Sequence, residues 1–154
     1  MLRNIITQSS SGSSVTLTQD SNGLLKFYDT TRHMDVSVMR TNINFGINRP
    51  KITGKRWLST TGKVLTNFNG SRVIRDGIIT AITVQTLDFT RSEFYIRKVG
   101  SSSDLYMLNL NGVKGKTVDN LSILINADDV IQCYVQVVSG FLYYPELTLE
   151  IAWR

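Results

Sequence analysis

The stretch Asp76–Thr86, DGIITAITVQT, decides the fold class. Successive side chains of an extended strand point to opposite faces. Ile78, Thr80, Ile82, Val84 and Thr86 therefore share one face, and Ile79, Ala81, Thr83 and Gln85 the other. Both sets are largely apolar or β-branched, the composition of a strand covered on both sides. Just ahead, Ser71–Ile74 runs into Asp76-Gly77, and Asp-Gly between two such runs reads as a hairpin turn.

The same grammar extends in both directions. Towards the C-terminus come Glu93–Val99, then Leu105–Leu110 leading to an Asn111-Gly112 turn, Leu121–Ile125 and Val130–Val138. Asn126–Asp129 separates the last two, and Ser139-Gly140 closes the second. In Leu147–Trp153, Leu147, Leu149, Ile151 and Trp153 alternate with Thr148, Glu150 and Ala152, the pattern of a half-exposed closing strand. Towards the N-terminus lie Arg56–Ser59 before Thr61-Gly62, Ile43–Ile47 before Arg49-Pro50, Val36–Arg40, and Leu24–Asp29 after Asn22-Gly23. Residues 9–14, SSSGSS, have linker composition, and Val15–Thr18 alternates like an edge strand. Residues 1–14 are expected to form a loosely ordered arm.

No window of eleven residues carries a helical apolar stripe. Short strands punctuated by Gly, Asn and Asp turns predict an all-β, antiparallel jelly-roll sandwich, preceded by an extended N-terminal arm and a short β unit. The expected division is 1–54, arm and short β unit serving attachment, and 55–154, the jelly-roll domain.

With 154 residues, of which 42% are hydrophobic, the chain can bury a core without a metal or disulfide. Its one cysteine, Cys133, falls in the apolar run Val130–Val138 and is expected to be a buried free thiol. No run approaches the roughly 18 apolar residues of a membrane helix, and the start, MLRNIITQSSSGSS, does not read as a signal peptide. The net charge of +5 is uneven: residues 1–76 carry eleven Lys and Arg against four Asp and Glu, whereas 77–154 carry six against eight. A basic first half favours an anionic partner.

The chemistry-bearing residues are few. The single histidine, His33, has no partners for a zinc site or a Ser-His-Asp triad. Asp128 and Asp129 follow Asn126-Ala127 and read as turn residues, and the spacing of a calcium loop is missing. Glu146 and Glu150 share a face of the last strand, where one could meet Glu93 or Asp104, but nothing fixes a carboxylate pair. Asn111–Lys116, NGVKGK, is basic and glycine-containing yet reads as a solvated hairpin tip. Arg40, Arg49, Lys51, Lys55 and Arg56 interleave with Phe45 and Trp57, a weak echo of a nucleic-acid groove. These features disfavour an enzyme and imply no cofactor and no metal; nucleic acid is an unfavoured partner, and no membrane is expected.

Several segments carry a family resemblance: KFYDTTRHMDVSV (26–38), RWLSTTGKVLTNFNGSRVIRDGIITAITVQT (56–86), FYIRKVG (94–100), DNLSILINADDVIQCYV (119–135) and LTLEIAWR (147–154). Together they resemble small tailed-phage virion proteins with a TNF-like jelly roll, including head decoration and fibre-head proteins. The chain departs from that pattern at Val99, where Asn is common, and at His33-Met34-Asp35, which replaces a Lys/Trp-rich stretch.

The resemblance implies a structural virion protein, assembled in the host cytoplasm. It would be a homotrimer that decorates and cements a phage head lattice, bound to the major capsid protein or another virion protein. The alternative it implies is a tail-fibre or receptor-binding tip that recognises a host surface glycan or protein through loops such as 100–104 and 139–145. On the first reading Arg32, Arg40, Arg49, Lys51, Lys55 and Arg56 would dock on an acidic capsid surface. Phe141, Tyr143 and Tyr144 would line the trimer axis or meet a ligand.

Overall fold

The computed structural model describes residues 4–8, 14–19, 21, 25–29, 34–37, 40–47, 51–60 and 70–153. Every regular element among them is a strand, and the strands form two antiparallel sheets.

The first sheet is a meander of β1 (Asn4–Gln8), β2 (Ser14–Gln19), β3 (Leu25–Asp29) and β4 (Met34–Ser37), in that order. Its register aligns Ile5, Leu17, Phe27 and Val36 in one cross-strand row. Residues 4–8 therefore belong to a paired strand and not to a loose arm. The linker residues 9–13, and with them His33, lie outside the described residues.

The second sheet contains β5 (Arg40–Gly46), β6 (Lys55–Leu58), β7 (Ser71–Arg72), β8 (Gly77–Lys98), β9 (Asp104–Val118), β10 (Ile123–Ile125), β11 (Val130–Ser139) and β12 (Glu146–Trp153). Its main path runs β5-β12-β8-β11-β6, with β9 and β10 on β8 and β7 on β11. The two ends of that path meet: Gly46 and Ser59 exchange backbone hydrogen bonds of 2.7 and 2.8 Å. The result is a nearly closed, barrel-like sandwich of jelly-roll character. Because β5 pairs with β12, this unit begins at Arg40, ahead of the 54/55 boundary expected from sequence.

Strand β8 is the spine. Its first part, up to Gln85, pairs with β12, and its last part, Arg91–Lys98, pairs with β11. Along the opposite edge β9 follows both parts. The sequence pattern suggested two strands, 78–86 and 93–99, where the structure has one with irregular register. A bulge leaves Thr80 without a β12 partner, so Ala81 faces Glu150 while Ile79 faces Ile151. One extra residue reverses the alternation. Ile79 and Ile82 consequently enter the same core despite their odd spacing, and Ile78 packs with Ala152 in a separate buried pair.

Both Asp-Gly and Asn-Gly have roles other than the expected hairpins. Strand β7 pairs with β11 instead of β8, and Gly77 sits where an added Cβ would lie 3.0 Å from the Ala152 carbonyl oxygen. Gly112, at φ +73°, is the extra residue of a bulge within β9, between the pairs Arg91–Asn111 and Thr90–Val113. Glycine adopts that conformation without steric cost. The NGVKGK segment is thus part of a ladder, not a hairpin tip.

Phe45, Leu58, Phe94, Ile96, Leu110, Ile131, Cys133, Leu142, Leu147 and Leu149 fill the interior. Each large side chain buried there is worth roughly 1.5–3 kcal/mol. Burial also pushes the Cys133 thiol well above its ordinary pKa, as expected of an inert free cysteine. The closing strand departs from its pattern at the end, where Ala152 is fully buried and Trp153 only half-buried, donating its indole N–H to Thr41. The Asn126–Asp129 turn is as expected: the Asn126 amide donates to the Asp129 carboxylate, and Asp128 has φ +68°.

Candidate functional site

Between its two paired parts, β8 leaves both β11 and β12 over Thr86–Thr90. The Thr86 hydroxyl folds this corner locally, accepting from the Asp88 amide at 3.1 Å and donating to the Asp88 carbonyl at 3.0 Å. The 140–145 connection lies beside it. Leu142, fully buried, exchanges backbone bonds with Ile52, and the Leu87 amide donates to the Tyr143 carbonyl at 3.2 Å. Pinning Leu142 inward leaves its neighbours Phe141 and Tyr143 on the rim.

These segments enclose an open surface cleft of about 520 Å³ lined by Asp88, Phe89, Arg91, Ser139, Phe141 and Tyr143, among others. Phe89 is 70% exposed and Phe141 46%. Nine large apolar side chains stand exposed among the described residues, and six of them, Leu87, Phe89, Val113, Val138, Phe141 and Tyr144, belong to the segments at this end. Two lysines cover the rings: Lys51 Nζ is 3.4 Å from the Phe141 centroid and Lys114 Nζ 4.8 Å from that of Phe89.

A second aromatic group crosses the outer face of the sandwich. Register aligns Trp57, Tyr134, Tyr95 and Met107 across β6, β11, β8 and β9. The Tyr95 and Tyr134 rings stack at 4.6 Å, and Trp57 meets Tyr134 edge-on at 5.1 Å. Tyr95 donates to Glu93 at 2.6 Å, which, with burial and the neighbouring charges of Glu93 and Asp104, pushes its phenol up to about 12. Tyr134 donates to Asp104, and burial followed by that bond raises its pKa too. With the rings turned towards one another and Lys55 3.9 Å over Tyr134, this row stabilises the sheet more than it presents a surface.

Among the described residues, the basic side chains singled out from sequence have different partners. Arg40 is ion-paired to Glu150 at 2.6 Å, and the Thr80 hydroxyl donates to the same carboxylate oxygen. Lys51 covers Phe141, Lys55 covers Tyr134, and Arg56 donates to the Lys55 carbonyl. Arg32 and Arg49 lie outside the described residues. Phe45, part of the suggested nucleic-acid motif, is buried in the core and cannot stack on a base. Phe141 and Tyr143 do come together on the cleft, with Tyr144 42% exposed beside them at φ +46°.

Sequence reasoning missed Leu87, Asp88, Phe89 and Arg91. Their signal was faint: alternation falters at Leu87-Asp88-Phe89, directly after the strand pattern that ends at Thr86. Among the carboxylates, Glu146 accepts from Gln85, Glu150 is held as above, and Asp128 pairs with Arg72. Among the described residues, no group of three or more His, Cys, Asp or Glu side chains converges to hold a metal ion.

No protein-family model and no curated protein matches the sequence. Among solved structures, the chain is similar to the PRD1 vertex protein P5, with 15% identity, TM-score 0.47, and coverage of 96% of this chain and 85% of that one. It is also similar to a chain in the structure of infectious bursal disease virus, Gx strain, with 12% identity, TM-score 0.33, and coverage of 92% and 42%. An exo-β-1,3-galactanase from Phanerochaete chrysosporium matches with 10% identity, TM-score 0.39, and coverage of 96% and 40%. At TM-scores below 0.5 these are distant likenesses, and they carry no weight for function.

Proposed function

We propose that the chain is a non-enzymatic structural protein of a virus particle, a capsid decoration or cement protein that binds and stabilises a phage head lattice as a trimer. The observation that carries this reading is the β8 corner, where Phe89 and Phe141 are exposed on one cleft and Leu87, Val113, Val138 and Tyr144 are exposed on the adjoining segments. A monomer in water gains nothing by exposing so many large side chains in one place, whereas a module built to bury them against copies of itself or a lattice does. The phage-like sequence segments and the jelly-roll-like sandwich are consistent with that use. Lys51, Lys55 and Arg56 add positive charge around the β5–β6 connection for an acidic lattice surface.

A protein that binds only the assembled shell stabilises it by mass action. The test is light scattering of the purified protein, followed by co-sedimentation with empty capsids and a comparison of capsid heat resistance with and without it. A trimer that pellets with capsids and raises their melting temperature supports the proposal. A monomer that stays in the supernatant removes it.

The cleft favours a second reading, a receptor-binding tip. Its concave aromatic lining is a feature that flat lattice contacts do not require.

A further inference from the structure

We propose that the cleft at the β8 corner binds a carboxylated saccharide, an inference that deepens the receptor-binding reading and rests on it. Three rings, Phe89, Phe141 and Tyr143, line one concave surface of about 520 Å³, a volume in the range of small-ligand sites. Aromatic rings receive the apolar C–H faces of a pyranose. The polar lining supplies what the hydroxyls need: Asp88 and Arg91 both border the cleft, yet they form no ion pair with each other or with any other described residue. A carboxylate and a guanidinium left uncommitted in one cleft can accept from and donate to neighbouring hydroxyls.

Charge selects the ligand class. Among the described lining residues Asp88 is the one acid, whereas Arg91 lines the cleft and Lys51 and Lys114 sit over its two phenylalanine rings. The balance is positive, so a sugar acid fits better than a neutral sugar. A planar carboxylate on the sugar matches the forked geometry of Arg91. The site is held before a ligand arrives, because Leu142 is anchored to Ile52 on one side and the Asp88 turn is closed by Thr86 on the other. Preorganisation of this kind lowers the ordering cost of binding.

The experiment is a calorimetric titration of the full chain with a trigalacturonate and, separately, a neutral galactan trisaccharide. The wild type is expected to bind the acidic sugar more tightly than the neutral one, with affinity falling as salt is raised. Phe89→Ala should weaken both by about tenfold or more, since it removes an exposed anchor ring. Arg91→Ala should weaken binding of the acidic sugar and narrow its preference over the neutral one, which stays bound. Ile74→Ala, exposed but remote from the cleft lining, should bind like wild type. Absence of binding to either sugar at millimolar concentration overturns the proposal, as does equal affinity in Phe89→Ala and wild type. Binding to anionic vesicles but not to the trigalacturonate assigns the surface to membranes and overturns it as well. Adsorption of the full chain to host cells is scored separately, so loss of the saccharide site and loss of the receptor-binding reading are distinguishable.

Discussion

Phe94 and Phe89 lie five positions apart on the same strand, yet one is 1% exposed and the other 70%. Their chemistry is identical, so the difference comes from what flanks β8 at each point. At Phe94 the strand sits between Leu108 on β9 and Val135 on β11, and alternate residues face a filled interior. At Phe89 neither β11 nor β12 is paired with it, and the β9 ladder is irregular. The contrast teaches that in this sandwich a side chain's fate is set by strand neighbours, with its own hydrophobicity a minor factor.

The largest effect expected from that contrast is at its buried end. Phe94→Ala should lower the unfolding free energy by about 3–5 kcal/mol, through lost burial and the cavity left behind. Urea denaturation followed by far-UV circular dichroism measures it, and a loss below about 1 kcal/mol would mean that the packed half of β8 is not the stability core.

A second, smaller effect tests whether β11 supplies the cover. Gly70 lies against β11 so closely that an added Cβ would come within 2.3 Å of the Ile131 carbonyl oxygen. Backbone must shift to admit it, and Ile131 is also the partner of Lys98 at the end of β8. Gly70→Ala is therefore expected to cost about 1–3 kcal/mol, as overpacking does elsewhere, and to speed hydrogen exchange of the Ile131 and Cys133 amides. Unchanged exchange on β11 would break the link between cover and burial.

A third concerns the clamp between the two strands. Lys98 of β8 ion-pairs with Asp129 in the turn before β11. Burial works against ionisation of Asp129, but the Lys98 hydrogen bond, the Asn126 amide and the Lys98 charge outweigh it and hold the carboxyl below the usual aspartate range. A depressed folded-state pKa gives stability that is present above the unfolded value and lost as pH falls through the folded one. The clamp should therefore contribute at neutral pH and fade below about pH 4. Asp129→Asn is expected to cost about 1 kcal/mol at pH 7 and to flatten the acid limb of the stability curve. A variant that loses stability in parallel with wild type at every pH would show that the pair does not titrate as described.

Much of the fold was legible because strand alternation is a local property. The runs Val130–Val138 and Leu147–Trp153 announced β11 and β12, and the Asn126–Asp129 turn was readable from its residue types. Bulges were not legible, because an extra residue at Thr80 or Gly112 leaves no mark in composition and shows only when the partner strand is known. Asp76-Gly77 misled for a related reason: the dipeptide suits a hairpin, but here glycine is needed so that backbone can approach Ala152. The candidate site was half legible. Phe141 and Tyr143 stood out as aromatics in a loop, whereas Phe89 and Arg91 fell in the interval between the two strands expected at 78–86 and 93–99, and the basic residues were grouped by sequence nearness although their partners differ.

The smallest effect is expected at the exposed end, and it sharpens the contrast most. Phe89→Ala removes as many atoms as Phe94→Ala, but the residue it truncates is already mostly in water, with Lys114 over its ring. Its unfolding free energy should stay within about 0.5 kcal/mol of wild type, and the loss should appear instead in association, as weaker binding to capsids or sugar. If Phe89→Ala destabilised the monomer as much as Phe94→Ala, the corner would belong to the core and the exposed apolar end would not be an interaction surface. If it left both stability and association untouched, the surface would be exposed without use. A variant that folds normally and associates poorly is the outcome that ties the break in β8 pairing to function, since the gap between β11 and β12 is what keeps that ring available.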